Sequence, residues 1–272
     1  MKTILVPVDF SPTAESAANY AAELGADTKA KLILLNVYSV PVPVADVPVV
    51  FIPLDEVEAA SLTQLNSLKQ RLSGKCTSLE IDVITSAGFA VEEIHAITEK
   101  QHVDLIIMGV NGEGKAPGIF GSNTSAVIKK AKCMVLTVHA DTKFKKPEKI
   151  GLACDYSSTL PDEVVRKFKE YVALFNSKVA VFDVLKKSEL VNYQKAVAEV
   201  NLESSLGDME HSLYYPSGDN LTKEINEFVE KNNIDTLVMV PHNYPFFQNL
   251  FHHSQTKEMA FKSKVPLLTI HE

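Results

Sequence analysis

The sequence is short of several things that would each point to a definite class of protein. Lysine and arginine number 27 against 34 aspartates and glutamates, a net charge of −7. That balance argues against a nucleic-acid partner, because affinity for a phosphate backbone needs clustered cations. No apolar run approaches the roughly 18 residues that a membrane-spanning helix requires. The N-terminal run Thr3-Ile4-Leu5-Val6-Pro7-Val8-Asp9 is too short for a signal-peptide core and no small-residue cleavage site follows it, so a cytoplasmic address is expected. Cysteine is scarce: Cys76, Cys133 and Cys154 form an odd, widely spaced set without a C-x-x-C pair. They read as reduced side chains packing as small hydrophobes. There is no Ser-His-Asp signature and no carboxylate pair placed for general acid and base work.

What is present is an ordinary globular composition, 46% hydrophobic and 22% charged over 272 residues, enough for one large domain or two smaller ones. An internal repeat decides between them. Lys2-Thr3-Ile4-Leu5-Val6-Pro7-Val8-Asp9 returns as Glu148-Lys149-Ile150-Gly151-Leu152-Ala153-Cys154-Asp155. Residues 32–37 match 179–184, and Asp104-Leu105-Ile106-Ile107-Met108 matches Asp235-Thr236-Leu237-Val238-Met239. Val135-Leu136-Thr137-Val138-His139 matches Leu267-Leu268-Thr269-Ile270-His271. The offset is 146 at Asp9/Asp155, 147 at Leu32/Val179 and 131 at Asp104/Asp235, so the first half carries an insertion between its second and fourth strands.

Each half alternates apolar runs with helical patterns, which implies βαβ units and a parallel sheet. In the first half, strands are expected near 2–8, 31–37, 79–85, 103–109 and 134–139. Helices are expected near 13–26, 54–73, 89–101 and 122–132, the first with an alanine stripe and a cap at Gly25. The fold class is therefore α/β, two tandem doubly wound five-stranded parallel sheet domains, over 1–141 and 147–272. The charged stretch Lys143-Phe144-Lys145-Lys146 between them reads as a solvated linker.

In an open α/β sheet, ligands bind beyond the carboxyl ends of the strands where strand order reverses. Two strand ends in the first half stand out: Pro7-Val8-Asp9, and Met108-Gly109 followed by Val110-Asn111-Gly112. From there a loop leads to Gly121-Ser122-Asn123-Thr124, which opens a helix whose N-terminus suits an anion. This combination, Val-Asp after the first strand with Gly-x-x-Gly, a short loop and Gly-Ser, resembles the universal stress protein family, once per half. The resemblance implies a Rossmann-like fold of the adenine nucleotide α hydrolase type. It also implies a site for one adenine nucleotide, ATP or similar, accompanied by Mg²⁺. The first-strand Asp would contact the nucleoside, and the residues after the second strand would line the adenine pocket. The two glycines would let the backbone approach ribose and phosphate, and the last Gly-Ser would hold phosphates. Carried over, these roles fall on Pro7, Val8, Asp9, Val37, Met108, Gly109, Gly112, Gly121, Ser122 and Asn123.

The loop departs from the family pattern. Eight residues separate Gly112 from Gly121, one fewer than usual, with Glu113 set among them and Pro117 removing a donor. A simple tight turn with Ser122 as helix cap is the competing structural reading. Gly109 to Ala116 also falls one residue short of a Walker A loop, since Ala116 cannot hold Mg²⁺; that likeness is coincidental.

The second half replaces Gly109, Gly112 and Gly121 with Val240, Asn243 and His253 and follows with the aromatic run 244–251, so one nucleotide per chain is expected. Adjacent His252 and His253, with His242 nearby, lack the partners that a zinc shell needs. The proline-rich segment 40–53 reads as a lid, a subunit contact such as that of a homodimer, or a stiff loop folded against its own domain. The halves themselves are expected to pair as an intrachain pseudo-dimer through the strands ending at His139 and His271. Three functions compete on this reading: a nucleotide-binding stress-response protein, a slow ATPase, and a nucleotide-free protein-interaction module.

Overall fold

The computed structural model describes residues 1–39, 53–110, 121–154, 156, 160–185, 193–207, 209–240 and 265–271. In the first half, β1 (Thr3–Pro7), α1 (Pro12–Thr28), β2 (Lys31–Tyr38), α2 (Leu54–Lys75) and β3 (Ile81–Ala87) are followed by α3 (Ala90–Lys100), β4 (Leu105–Val110), α4 (Ser122–Lys130) and β5 (Met134–His139). The second half contributes β6 (Lys149–Ala153), α5 (Asp162–Phe175), β7 (Lys178–Phe182), α6 (Tyr193–Leu206), β8 (His211–Tyr214), α7 (Leu221–Lys231), β9 (Thr236–Met239) and β10 (Leu267–Thr269). The ten strands form one sheet in the order β3-β2-β1-β4-β5-β10-β9-β6-β7-β8. Each half thus has the same strand order, doubly wound, reversing between β1 and β4 and between β6 and β9. Pairing is parallel everywhere except where β5 meets β10.

The strand runs are continuously apolar because both faces are covered. Leu5, Ile33, Ile106 and Val135 point to one layer, while Ile4, Leu32, Leu105 and Leu136 point to the other; all are buried. On α1 the alanines 14, 17, 18, 21 and 22 are buried with Leu24, and their small side chains allow the helix to lie close on the sheet. The expected cap at Gly25 is not what ends α1. The helix runs on to Thr28, and Lys29 takes the left-handed conformation at φ 56°. Gly25 instead packs beneath Leu79, whose Cδ1 would lie 3.0 Å from an added Cβ.

The repeat is visible in individual bonds. Asp104 Oδ2 accepts from the backbone N–H groups of Lys2 (2.6 Å) and Thr3 (2.9 Å). Its counterpart Asp235 Oδ2 accepts from those of Glu148 (2.9 Å) and Lys149 (3.0 Å). Each half therefore anchors the start of its central strand with the carboxylate that precedes its fourth strand. The equivalent threonines Thr137 and Thr269 reciprocate across the seam. Thr137 Oγ1 donates to the Leu267 carbonyl at 3.3 Å, and Thr269 Oγ1 donates to the Val135 carbonyl at 3.2 Å.

The linker is not wholly solvated. Phe144 packs edge-on to Tyr20 of α1, with ring centroids 5.4 Å apart, and lies 6.4 Å from Phe175 of α5. Lys145 pairs with Asp235 and Glu148. An aromatic ring set among lysines has apolar area to bury, and the groove between α1 and α5 receives it.

Candidate functional site

The end of β1 is fixed by buried polar contacts before any ligand is considered. Val8 donates its N–H to the Leu35 carbonyl at 2.7 Å. Its carbonyl accepts from Asn36 Nδ2 at 2.6 Å, and Ser61 Oγ of α2 donates to Asn36 Oδ1 at 2.7 Å. Buried amides need such partners, and here the bonds hold β1, β2 and α2 together at the point where the chain leaves the sheet. Phe10 then adopts a left-handed φ of 61°, which turns the backbone sharply. Ser11 comes back over Asp9, whose Oδ1 accepts from the Ser11 N–H at 3.0 Å and from its hydroxyl at 2.6 Å. Ser11 Oγ in turn accepts from Ala14 N at 3.2 Å, capping α1, with Pro12 in its first turn.

Beside it, β4 pairs with β1 through Ile4↔Leu105 and Leu5↔Ile106. Gly109 sits within β4, opposite Val138 of β5. Its lack of a side chain has a structural reason that the sequence did not show. An added Cβ would lie 2.6 Å from the Thr13 carbonyl oxygen and 2.5 Å from Thr13 Cγ2. The first turn of α1 occupies the space that any other residue would fill.

Between these strand ends opens a cleft of about 300 Å³. Pro7, Val8 and Asp9 line it from β1, Val37 from β2, Met108 and Gly109 from β4, and Gly121, Ser122 and Asn123 from the start of α4. Nine of the ten positions singled out in the sequence thus share one cavity. Gly112 lies outside the described residues, as do Glu113, Lys115 and Pro117. The cleft also uses residues that the sequence reading passed over: Ser11, Thr13, Ala14, Leu35, Ala90, Ile94 and Thr124. For Ser11 a signal existed in Ser-Pro ahead of an alanine stripe, the pattern of a helix cap. For Ala90 and Ile94 there was none, because only the order of the strands brings α3 to this crevice.

The cleft has two chemically different ends. Leu35, Val37, Ile94 and Met108 make one wall apolar. At the other, the N-cap of α4 is Gly121, in an extended conformation and without a side-chain cap bond. Ser122 therefore does not cap this helix, contrary to the tight-turn reading. It is exposed on the first turn beside Asn123, where N–H groups lack intrahelical acceptors and the helix dipole favours an anion. Among the described lining residues Asp9 is the one formal charge.

The second half builds the same strand ends differently. Val240, at the position of Gly109, is buried. Tyr156, at the position of Phe10, is buried and lies edge-on to Tyr215 with centroids 5.4 Å apart. Both belong to the same core cluster. The helix α5 starts at Asp162 behind Pro161, about one turn later than the repeat with α1 would place it. Asp155, Asn243, the aromatic run 244–251 and His242, His252 and His253 lie outside the described residues, as does most of the proline-rich segment 40–53.

Elsewhere, a cleft of about 230 Å³ near the seam is lined by Asp104, Lys132, Glu163, Arg166, Lys167 and Glu170. Its charged groups already have partners: Arg166 bonds Glu163 and Glu170, and Lys167 donates to the carbonyls of Lys132 and His271. Cys133 and Cys154 are buried. Burial pushes the Cys133 thiol up to about 12, which suits a packed side chain rather than a nucleophile. Among the described residues no helix is long and apolar enough to cross a membrane, and no cluster of His, Cys, Asp and Glu could hold a metal ion.

Comparison with known proteins matches this geometry. The model of the universal stress protein family matches residues 1–139. Universal stress protein A homolog 1 of Coxiella burnetii is 28% identical over 142 residues, covering 50% of this chain and 95% of its own. A universal stress protein of Methanocaldococcus jannaschii is 30% identical over 152 residues, covering 50% of this chain and 94% of its own. A solved universal stress protein from Archaeoglobus fulgidus spans both halves, covering 99% of this chain and 96% of its own. It superposes at a TM-score of 0.70 and 18% identity, a likeness of fold.

Proposed function

Because this chain belongs to the universal stress protein family, we propose that it is a cytoplasmic stress-response or signalling protein that binds one adenine nucleotide, ATP or a close relative, in the cleft of its first half. The observation that carries the proposal is the joining of two unlike ends in one cavity. Asp9 and the apolar residues line the same cleft as the start of α4 at Gly121 and Ser122, where the N-cap residue makes no side-chain cap bond. A nucleotide has the matching polarity, with an aromatic base and hydroxyl-bearing sugar at one end and an anion at the other. The phosphates would be received by the first-turn N–H groups of α4 together with Ser122 and Asn123. Mg²⁺ would arrive with the phosphates and offset their charge. On this reading residues 1–141 form the binding domain, and 147–272 a domain of the same fold whose site has degenerated. The two are held as an intrachain pseudo-dimer.

Calorimetric titration of the full chain with ATP and Mg²⁺ tests the reading, supported by native mass spectrometry of protein purified without added nucleotide. Saturation near one equivalent, abolished by changes at the start of α4, is the expected result. Two equivalents would sink the asymmetry between the halves. No binding at all would favour a protein-interaction module.

A further inference from the structure

We propose that Ser11 is a positioning residue: it holds the Asp9 carboxylate in place for the hydrogen-bond-donating end of the ligand, and it closes the first turn of α1 with the same hydroxyl. The inference deepens the nucleotide reading and rests on it. Asp9 is exposed and lines the cleft, and a short exposed side chain ordinarily samples several rotamers. Here that freedom is opposed, because one oxygen takes two donors from a single residue, the Ser11 N–H and the Ser11 hydroxyl. The hydroxyl proton goes to Asp9, so its lone pair is left to accept from Ala14 N. The roles are complementary, and neither bond displaces the other. The left-handed turn at Phe10 makes this arrangement reachable, since it folds residue 11 back onto residue 9.

The chemical consequence is selectivity for orientation. Among the described residues nothing donates to Asp9 Oδ2. An ionised carboxylate only accepts, so this oxygen must be met by a donor, an exocyclic amine or a ribose hydroxyl, and it repels phosphate. Fixing Oδ1 leaves Oδ2 as the acceptor presented at the β1 end, so the bound molecule lies with its donors at β1 and its anion at α4. Without Ser11 that ordering cost falls on the ligand at each binding event.

Two measurements on the full chain separate this from a purely structural role. The first needs no ligand: three-bond couplings of Asp9 report whether its side chain occupies one rotamer. One rotamer is expected in the parent and in Ser11→Thr, and more averaging is expected in Ser11→Gly and Ser11→Ala, which keep only the backbone N–H. Glycine is the telling substitution because it is nearly as good a helix cap as serine, so the melting temperature should barely move. The second is titration with ATP and Mg²⁺. Loss of preorganisation should weaken binding by roughly tenfold in Ser11→Gly and Ser11→Ala. No further loss should follow when either is added to Asp9→Ala. Unchanged affinity in Ser11→Gly, or an equal loss in the Asp9→Ala background, would overturn the proposal. If the parent takes up no nucleotide, the functional reading fails. The couplings then still decide whether Ser11 holds Asp9, and identical averaging in the parent and Ser11→Gly would reject it.

Discussion

Gly109 and Thr13 are in contact so close that glycine is the only residue β4 can place there with α1 starting where it does. The separation of 2.6 Å from the Thr13 carbonyl to an added Cβ involves backbone, which has no rotamer to yield. Because the second half carries a buried valine, Val240, at the equivalent position, the repeat alone would suggest that Gly109→Val removes ligand binding and leaves the fold untouched. The geometry predicts both losses together. Overpacking of this kind costs about 1–3 kcal/mol. It should appear as a lower urea midpoint at unchanged slope, alongside weakened ATP binding. Gly109→Ala should show the same in smaller measure, and Thr13→Ala should not rescue either variant, because the clashing oxygen is main chain.

The reverse substitution is predicted to fail as a repair. Val240→Gly empties a buried core position and loosens its backbone, for a loss of about 2–4 kcal/mol. Tyr156 remains buried at the adjoining strand end, so titration of this variant should still saturate near one equivalent of nucleotide.

Removing the linker's aromatic ring should destabilise the chain. Phe144→Ala deletes the ring packed on Tyr20 and near Phe175. Its side chain is half-buried, so a loss of about 1–3 kcal/mol is expected in equilibrium denaturation. Phe144→Leu should recover part of it. A lysine-rich linker doing nothing but spanning a gap would tolerate both changes.

Alkaline pH should weaken the fold earlier than surface titration alone would. Burial raises the Cys133 thiol from its ordinary 9.0 to about 12, and it raises the phenols of Tyr20 and Tyr171 in the same direction. Between pH 9 and 12 the unfolded chain would release the Cys133 proton while the folded chain keeps it. Unfolding is therefore favoured as pH rises, and stability is intact below pH 9. Urea midpoints measured from pH 8 to 10.5 should fall, and Cys133→Ala should flatten the slope by removing one of the three groups.

The sheet was legible in the sequence because its strands are covered on both faces. Runs such as Leu105-Ile106-Ile107-Met108 have few other uses in a chain of this composition, and the repeat fixed their order twice over. The positions at the strand ends were legible for a similar reason: aspartate and glycine are poor strand residues, and at the edge of an apolar run they draw the eye. What could not be read was contact between elements distant in sequence. That Gly109 answers to Thr13, and that Ala90 and Ile94 of α3 complete the cleft, depends on helix placement over the sheet. Gly25 misled as a helix end because a glycine's two uses, turning a chain and admitting a neighbour, look alike in one dimension. Phe144 was hidden by its lysines, whose charge suggested solvent for the whole segment.

The seam at Thr137 and Thr269 joins two equivalent surfaces that would, on separate molecules, form an isologous contact whose occupancy rises and falls with concentration. Here both partners are on one polypeptide, so the effective concentration of one surface around the other is set by the short linker and not by the amount of protein present. Dilution cannot part them. Arrangements requiring two such units to meet therefore survive at the lowest copy number, and one half is free to diverge at its strand ends while the other remains as it was.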